Sequence, residues 1–207
     1  MPLISRFFST ENIEVFVWKI TESHQFLLET NPLKEVSKVR LQNMKSVEHQ
    51  KGFLSVRCLL NEAGYSDFDL YYSEDGKPYL IDGKHITISH SHHFSAIAIS
   101  DIPAGIDLEL RRDLIKKIGP KFCKSEYDFL EINASDYIRQ LTVIWGAKES
   151  VFKIENKGGI SFKDHIFVQN FQMNQQKTKV KLDFENETKF FDMNFYEIED
   201  YTLVVVF

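Results

Sequence analysis

The chain has 207 residues, 43% hydrophobic and 14% aromatic, which is enough to bury a substantial core. Its formal net charge of −5 gives no support for nucleic-acid binding, which usually shows as a basic domain or patch. The two distant cysteines, Cys58 and Cys123, make neither a disulfide framework nor a CxxC metal site, so we expect reduced thiols. The first eight residues lack a signal-peptide core, and no apolar run has the length of a membrane span. We therefore expect a soluble, cytoplasmic protein with no membrane partner.

The first half of the chain is predicted to place helices before strands. Residues 13–20 alternate as a strand does, and Thr21 then resembles the cap of a short helix that stops near Asn31. Apolar residues recur at helical spacing from 33 to 63, and Gly64 suits the position after a helix end. Further strands are predicted over 68–72, 77–80, 85–89 and 95–100.

The second half repeats that order. After a buried strand at 104–109, helices are predicted over 114–122, from a cap at Ser125, and over 136–155, with Gly158-Gly159 ending the last. Strands are then predicted over 166–171, 179–184, 190–198 and 201–207. Separate runs of helices and strands favour the α+β class over a parallel sheet. The repeat divides the chain into an N-terminal α+β half, 1–103, and a C-terminal α+β half, 104–207.

The strand at 104–109 carries two acidic side chains among apolar ones. Because side chains alternate along a strand, Asp107 and Glu109 share one face and can reach one ligand. Two like charges this close raise at least one pKa unless a cation lies between them. A divalent cation such as Mg²⁺ would relieve the repulsion. An ordinary solvated strand edge is the other interpretation of this pair.

The predicted helix at 136–155 carries a second group of polar side chains. Trp145, Glu149 and Lys153 follow one another at four-residue spacing and so share a face, with Lys148 beside them. One carboxylate and two cations beside an aromatic surface suit an anionic ligand that carries a metal. A surface ion pair between Glu149 and Lys153 beside a core tryptophan is the alternative.

Two shorter segments upstream expose further polar groups. Gly76-Lys77-Pro78 places a lysine in a tight turn that the proline stiffens. Ile88-Ser89-His90-Ser91 ends a predicted strand with hydroxyl, imidazole and hydroxyl groups in a row. Each segment is also compatible with a simple structural role, as a soluble turn and a capped strand end.

Together these motifs resemble those of the 4′-phosphopantetheinyl transferase superfamily. The matching segments are Gly76-Lys77-Pro78, Ile88-Ser89-His90-Ser91, Gly105-Ile106-Asp107-Leu108-Glu109, Trp145-x-x-Lys148-Glu149-x-x-x-Lys153 and Gly158-Gly159-Ile160-Ser161. The length resembles the surfactin-synthetase type, in which one chain holds two similar halves. The resemblance implies an α+β fold with a pseudo-twofold arrangement of two similar helix-plus-antiparallel-sheet halves and an active site between them.

The resemblance also implies roles for individual residues. Implied Mg²⁺ ligands are Asp107, Glu109 and Glu149. Implied contacts to coenzyme A are Arg57, Lys77, Pro78, Ser89, His90, Lys148 and Lys153. The residues implied in catalysis are Glu149, Lys153 and Asp107.

The implied reaction moves 4′-phosphopantetheine from coenzyme A to a serine of an apo carrier protein and releases 3′,5′-adenosine bisphosphate. In it, Mg²⁺ polarises the pyrophosphate, Glu149 deprotonates the serine and Lys153 steadies the charge on the leaving group. We expect the carrier protein, an acyl or peptidyl type, to dock on apolar residues in the 114–129 region. Two halves in one chain predict a working monomer.

Three other functions are alternatives to this transfer reaction. Zinc binding would draw on a group of histidines, but no cysteine or acid at ligand spacing completes a tetrahedral set around His85, His90, His92 and His93. A Mg²⁺-dependent phosphohydrolase would use the three carboxylates, but it leaves the lysine and tryptophan pattern unexplained. A non-catalytic homologue that binds coenzyme A or a carrier protein is the third, and the intact acidic triad argues against it.

Overall fold

The computed structural model describes residues 3–207 and divides the chain into two compact units, Met1–Pro103 and Ala104–Phe207. In each unit, helices pack on an antiparallel sheet, which confirms the α+β class. Within the described residues, no helix combines the length and the apolar character needed to cross a membrane.

Over residues 3–103, the first unit contains a six-stranded sheet and three helices. Its strands run in the order β1-β2-β6-β5-β4-β3, and every neighbouring pair is antiparallel. Helix α3 packs on β6, β2 and β5 and buries a core that includes Phe16, Leu54 and Ile97. The elements are β1 (Leu3–Thr10), β2 (Ile13–Lys19), α1 (His24–Thr30), α2 (Glu35–Gln42), α3 (Val47–Glu62), β3 (Leu70–Tyr72), β4 (Pro78–Leu80), β5 (His85–Ser91) and β6 (Phe94–Ser100).

The second unit contains a five-stranded sheet, two helices and a short 3₁₀ turn at Ser125–Asp128. Its strand order is β7-β11-β10-β9-β8. Helix α5 lies along β7 and β11, and the core between them includes Leu141, Ile144 and Val204. The elements are β7 (Gly105–Leu110), α4 (Leu114–Phe122), α5 (Tyr137–Glu155), β8 (Ile166–Val168), β9 (Lys177–Phe184), β10 (Glu187–Ile198) and β11 (Tyr201–Val206).

Both units have the same topology. The strand that precedes the helices, β2 or β7, pairs with the last strand, β6 or β11, and the remaining strands step outward from there. The main difference in topology is the extra edge strand β1 in the first unit. The repeat that the order of predicted elements indicated is therefore present in the connectivity of the two sheets.

Several element boundaries differ from the predictions for local reasons. Sequence analysis assigned no element to β1, whose half-buried and exposed residues alternate as expected for an edge strand. Its single helical region at 33–63 is two helices, because Ser46 accepts a hydrogen bond from the His49 amide (3.4 Å) and begins α3 anew. The short helix α1 is capped by Ser23 rather than Thr21. Helix α5 ends before the glycines, at Asn156, which adopts the left-handed conformation (φ 50°).

Candidate active site

The acidic pair of β7 faces helix α5. Asp107 and Glu109 pair across the sheet with Val204 and Thr202, and Val204 belongs to the core beneath α5. Directly paired residues of antiparallel strands point to the same face, so both carboxylates lie on the helix side. There, Glu109 accepts a hydrogen bond from the indole of Trp145.

Two glycines allow α5 to lie unusually close to this sheet. A Cβ atom added to Gly105 would lie 2.1 Å from the carbonyl oxygen of Ser150, and one added to Gly146 would lie 2.8 Å from Val204 Cγ2. Both residues must therefore lack a side chain. Sequence analysis gave neither glycine a role, although each stands inside a motif that was singled out.

Lys153 lies against the same carboxylates. Its Nζ donates to Asp107 Oδ1 (2.9 Å) and to the carbonyl oxygen of Ile106 (2.7 Å). The Asp107 side chain is 6% exposed and that of Lys153 is 29% exposed, so the pair is shielded from water yet open on the lysine side. The structure thus places one cation at the acidic group that sequence analysis assembled from two motifs.

Burial and mutual repulsion shift the acids of this site. Burial, followed by the charge of Asp107, raises the pKa of Glu109 to about 7, although Trp145 and Lys153 oppose the shift. Burial and Asp107 also raise the pKa of Glu149, with Lys153 opposing. These carboxylates influence one another because they are close, and each would gain from a nearby cation.

The donor set fits a hard divalent cation. Asp107, Glu109 and Glu149 offer only carboxylate oxygens, which Mg²⁺ prefers. The raised pKa values of Glu109 and Glu149 reflect burial and a repulsion that a cation would relieve. Across residues 3–207, no three histidine, cysteine or acidic side chains are already arranged as a metal site. The three acids are therefore neighbours that would have to change side-chain conformation to share one ion. The histidine group is likewise not arranged as a zinc site in the described residues.

Lys148 is buried and does not share the surface of Glu149 and Lys153, beside which the helix spacing placed it. Its side chain is 0% exposed and its Nζ forms an ion pair with Glu126 (2.7 Å). Burial lowers the pKa of Lys148, and the charge of Glu126 opposes that shift. Residues 148 and 153 both lie on α5, but only the latter reaches the acids.

Arg57, a predicted coenzyme A contact, is also buried in an ion pair. Its side chain is 3% exposed, and its Nε donates to Asp67 Oδ1 (2.9 Å). Its Nη1 donates to the carbonyl oxygen of Phe53 (3.0 Å), and the guanidinium carbon lies 3.5 Å from the centre of the Phe53 ring. These contacts hold the guanidinium inside the core of the first unit.

The other predicted coenzyme A contacts lie in the first unit. Ser89 and His90 lie near the end of β5 on opposite faces, with Ser89 buried and His90 exposed. The His90 ring packs against Gly52 of α3, and its centre is 6.3 Å from that of His49. Lys77 closes the predicted turn, where its amide donates to Ser73 Oγ (3.1 Å) and Pro78 begins β4.

A groove that sequence analysis did not find runs from the acidic group along α4. It has a volume of about 190 Å³ and begins at Glu109 and Trp145. Its other walls are largely apolar, and Leu114 on the rim is 51% exposed. The remaining lining residues are Leu110, Arg112, Ile115, Ile118 and Thr142.

The family model for the 4′-phosphopantetheinyl transferase superfamily matches residues 103–206, the unit that carries the acids, the two glycines and Lys153. The chain belongs to this superfamily.

Three bacterial relatives share between 30% and 34% identity with parts of the chain. The 4′-phosphopantetheinyl transferase gsp of Aneurinibacillus migulanus is 30% identical over 117 residues, which cover 56% of this chain and 47% of the relative. The transferase ffp of Bacillus subtilis is 32% identical over 52% of this chain and 49% of its own length. For Sfp of Bacillus subtilis strain 168, the values are 34%, 45% and 43%. The chain thus matches about half the length of these curated relatives.

Proposed function

We propose that this protein transfers 4′-phosphopantetheine from coenzyme A to a serine of an apo carrier protein, with Mg²⁺ as cofactor. The observation that carries the proposal is the group of Asp107, Glu109, Glu149 and Lys153 on facing elements of the unit that matches the superfamily model. The named relatives are 4′-phosphopantetheinyl transferases, which supports the same reaction.

In the proposed reaction, the serine oxygen attacks the β-phosphorus of coenzyme A. A P–O bond forms to the serine, the bond to the second phosphate breaks, and 3′,5′-adenosine bisphosphate leaves. Bound Mg²⁺ would supply charge neutralisation at the pyrophosphate, held by Asp107, Glu109 and Glu149. Phosphoryl transfer depends mainly on positioning and charge stabilisation, which these side chains are suited to provide.

Two residues of α5 have distinct proposed tasks. Glu149 takes the serine proton, because burial and the charge of Asp107 raise the pKa of Glu149 and make its carboxylate a stronger base. Lys153 neutralises the negative charge of the leaving group, and it is held near the acids by Ile106 and Asp107.

For coenzyme A, we propose contacts from Lys77, Pro78, Ser89 and His90 in addition to Lys153. The tight turn at Lys77 and the exposed ring of His90 present groups that suit phosphates. Arg57 and Lys148 are not part of this proposal, because both are buried in ion pairs.

For the carrier protein, we propose a docking surface within 114–129, centred on α4. Helix α4 exposes Leu114 beside the apolar groove and carries exposed lysines, which suit a small acidic partner. We further propose that the protein acts as a monomer, since both halves lie in one chain. A cytoplasmic location is supported by its two free thiols, Cys58 and Cys123.

Intact-mass analysis of an apo carrier protein tests the transfer directly. The carrier is incubated with the protein, coenzyme A and Mg²⁺, and we expect a mass gain equal to phosphopantetheine. Asp107→Ala and a chelator should each abolish the gain.

Two other results would replace the proposal. No gain across a panel of apo carriers, with coenzyme A still tightly bound, would indicate a non-catalytic binding homologue. Cleavage of coenzyme A without any carrier would indicate a phosphohydrolase.

A further inference from the structure

A buried ion pair joins the middle of α5 to the rest of the second unit. Lys148 Nζ and Glu126 Oε1 are 2.7 Å apart, and both side chains are 0% exposed. The same ammonium donates to the carbonyl oxygens of Phe122 (2.6 Å), Ile166 (2.6 Å) and Phe162 (2.9 Å). An ammonium has three N–H groups, so at least one of them is shared among these four acceptors.

Glu126 extends the same network on its own side. Its Oε1 also accepts from the amide of Val168 (3.0 Å), and its Oε2 accepts from the amide of Lys124 (3.0 Å). The pair therefore connects α5 with the end of α4, the 3₁₀ turn, the segment after α5 and β8. Buried charges are tolerated when they are paired and hydrogen-bonded in this way.

Helix α5 is held from the opposite side by the glycine contacts. Gly146 packs on Val204, and Gly105 of β7 packs on the carbonyl of Ser150. Lys148 follows Gly146 by two residues, which is about 200° around a helix. The ion-pair network and the sheet thus contact α5 on opposite faces.

The site residues of α5 lie between these two sets of contacts. Glu149 directly follows Lys148, and Trp145 donates to Glu109 of β7. A rotation or slide of α5 would change how far both side chains lie from the carboxylates of β7. A buried ion pair is weak evidence for stability, since apolar replacements of both partners are often as stable. The buried pair in this protein is better explained by its effect on the position of α5.

We propose that Lys148 and Glu126 are positioning residues that fix the rotation and axial position of α5. They thereby set the separation of Glu149 and Trp145 from Asp107 and Glu109. The effect on catalysis rests on the proposed transferase function, whereas the effect on the position of Trp145 does not.

The test uses Lys148→Met combined with Glu126→Gln, which removes both charges and keeps an acceptor oxygen for one of the two backbone amides. Trp18→Phe provides the background, because Trp145 is then the single tryptophan of the chain. We expect cooperative unfolding to persist and the emission of Trp145 to shift, since its hydrogen bond to Glu109 changes. The affinity for Mg²⁺, titrated by the same emission, should fall about 10–100-fold, as for residues that orient metal ligands. The kcat should fall similarly, with the KM for coenzyme A unchanged within about threefold.

A matched control breaks another lysine–glutamate pair on the same helix. Lys189 of β10 binds Glu155, at the end of α5, at 2.8 Å. We expect Lys189→Met with Glu155→Gln to keep the Trp145 emission, the Mg²⁺ affinity and kcat of the parent.

Unchanged Trp145 emission and Mg²⁺ affinity in a folded Lys148→Met, Glu126→Gln protein would overturn the proposal. If that variant does not fold, Glu126→Asp, which keeps both charges and shortens one side chain, decides by the same readouts. A parent protein that shows no transfer to any carrier would reject the proposed function alone. In that case the emission of Trp145, measured without metal or carrier, still decides the positioning role.

Discussion

The two units share a topology but differ on the helix-facing side of the strand that precedes the helices. In the first unit, Phe16 pairs with Ile97 on this side and both belong to the core beneath α3. In the second unit, Asp107 pairs with Val204 at the equivalent place beneath α5. One unit buries an aromatic ring there, and the other buries a carboxylate. The fold tolerates both, so the acids are explained by function rather than by folding.

The units are alike in a second respect. Each central helix carries one fully buried cation paired with a buried acid, Arg57 with Asp67 on α3 and Lys148 with Glu126 on α5. Because the pair recurs in the first unit, where we propose no metal site among residues 3–103, burial of a cation in the central helix belongs to the architecture. The candidate site is then defined by the residues that differ between the units, namely the acids of β7 and Lys153.

Removing the buried cation of the first unit's central helix should have the largest effect on stability. Arg57→Met leaves the carboxylate of Asp67 buried without its cation, and we expect a loss of about 3–5 kcal/mol in the free energy of unfolding. The KM for coenzyme A should change less than about twofold, because the guanidinium does not reach the surface. Urea denaturation and steady-state kinetics measure the two effects. A variant of unchanged stability with a tenfold higher KM would restore the coenzyme A role.

Substituting an acid that only the second unit carries on this side should affect activity rather than stability. Asp107→Asn removes one charge from the acidic group, and we expect kcat/KM for carrier modification to fall about 10²–10³-fold. Phe16→Leu at the equivalent place in the first unit should keep the activity and lower the free energy of unfolding by about 1–2 kcal/mol. Equal losses of activity in the two variants would contradict the division of roles.

The close approach of α5 to β7 gives a smaller effect. Gly105→Ala would place a Cβ 2.1 Å from the Ser150 carbonyl oxygen, so backbone must move. We expect a loss of about 2 kcal/mol in unfolding free energy, as for overpacked cores, together with weaker Mg²⁺ binding. Gly158→Ala, where an added Cβ meets nothing within 4 Å, serves as the control. Chemical denaturation and a Mg²⁺ titration distinguish the two variants. Equal stability and equal Mg²⁺ affinity in both would show that the backbone at Gly105 adjusts to a side chain without cost.

The acids should also give the metal-free protein a characteristic pH dependence. Because the pKa of Glu109 is raised to about 7, the folded state holds its proton over a range where the unfolded state has lost it. The unfolding free energy should therefore fall, by up to about 3 kcal/mol, as the pH rises from about 4.5 to about 7. Glu109→Gln should flatten this slope, as chemical denaturation at a series of pH values would show. A slope that survives the substitution would have to come from other groups.

Part of the candidate site was accessible from local pattern. Strand alternation placed Asp107 and Glu109 on one face, and helical spacing placed Glu149 and Lys153 together. The pattern failed at Lys148, which the helix spacing put beside the site but which packs toward Glu126 instead. Spacing gives the face of a helix, but it does not say which neighbour covers that face.

The sequence by itself determined the order of helices and strands, the repeat of that order, and the acidic and basic motifs of the second unit. These follow from local periodicity, turn residues and spacing along one element. Only the tertiary structure decided which cations are buried and which are available. That depends on partners distant in the chain, such as Glu126 for Lys148, Asp67 for Arg57 and Asp107 for Lys153. It also decided why Gly105 and Gly146 lack side chains, since a clash exists only when a helix and a strand meet.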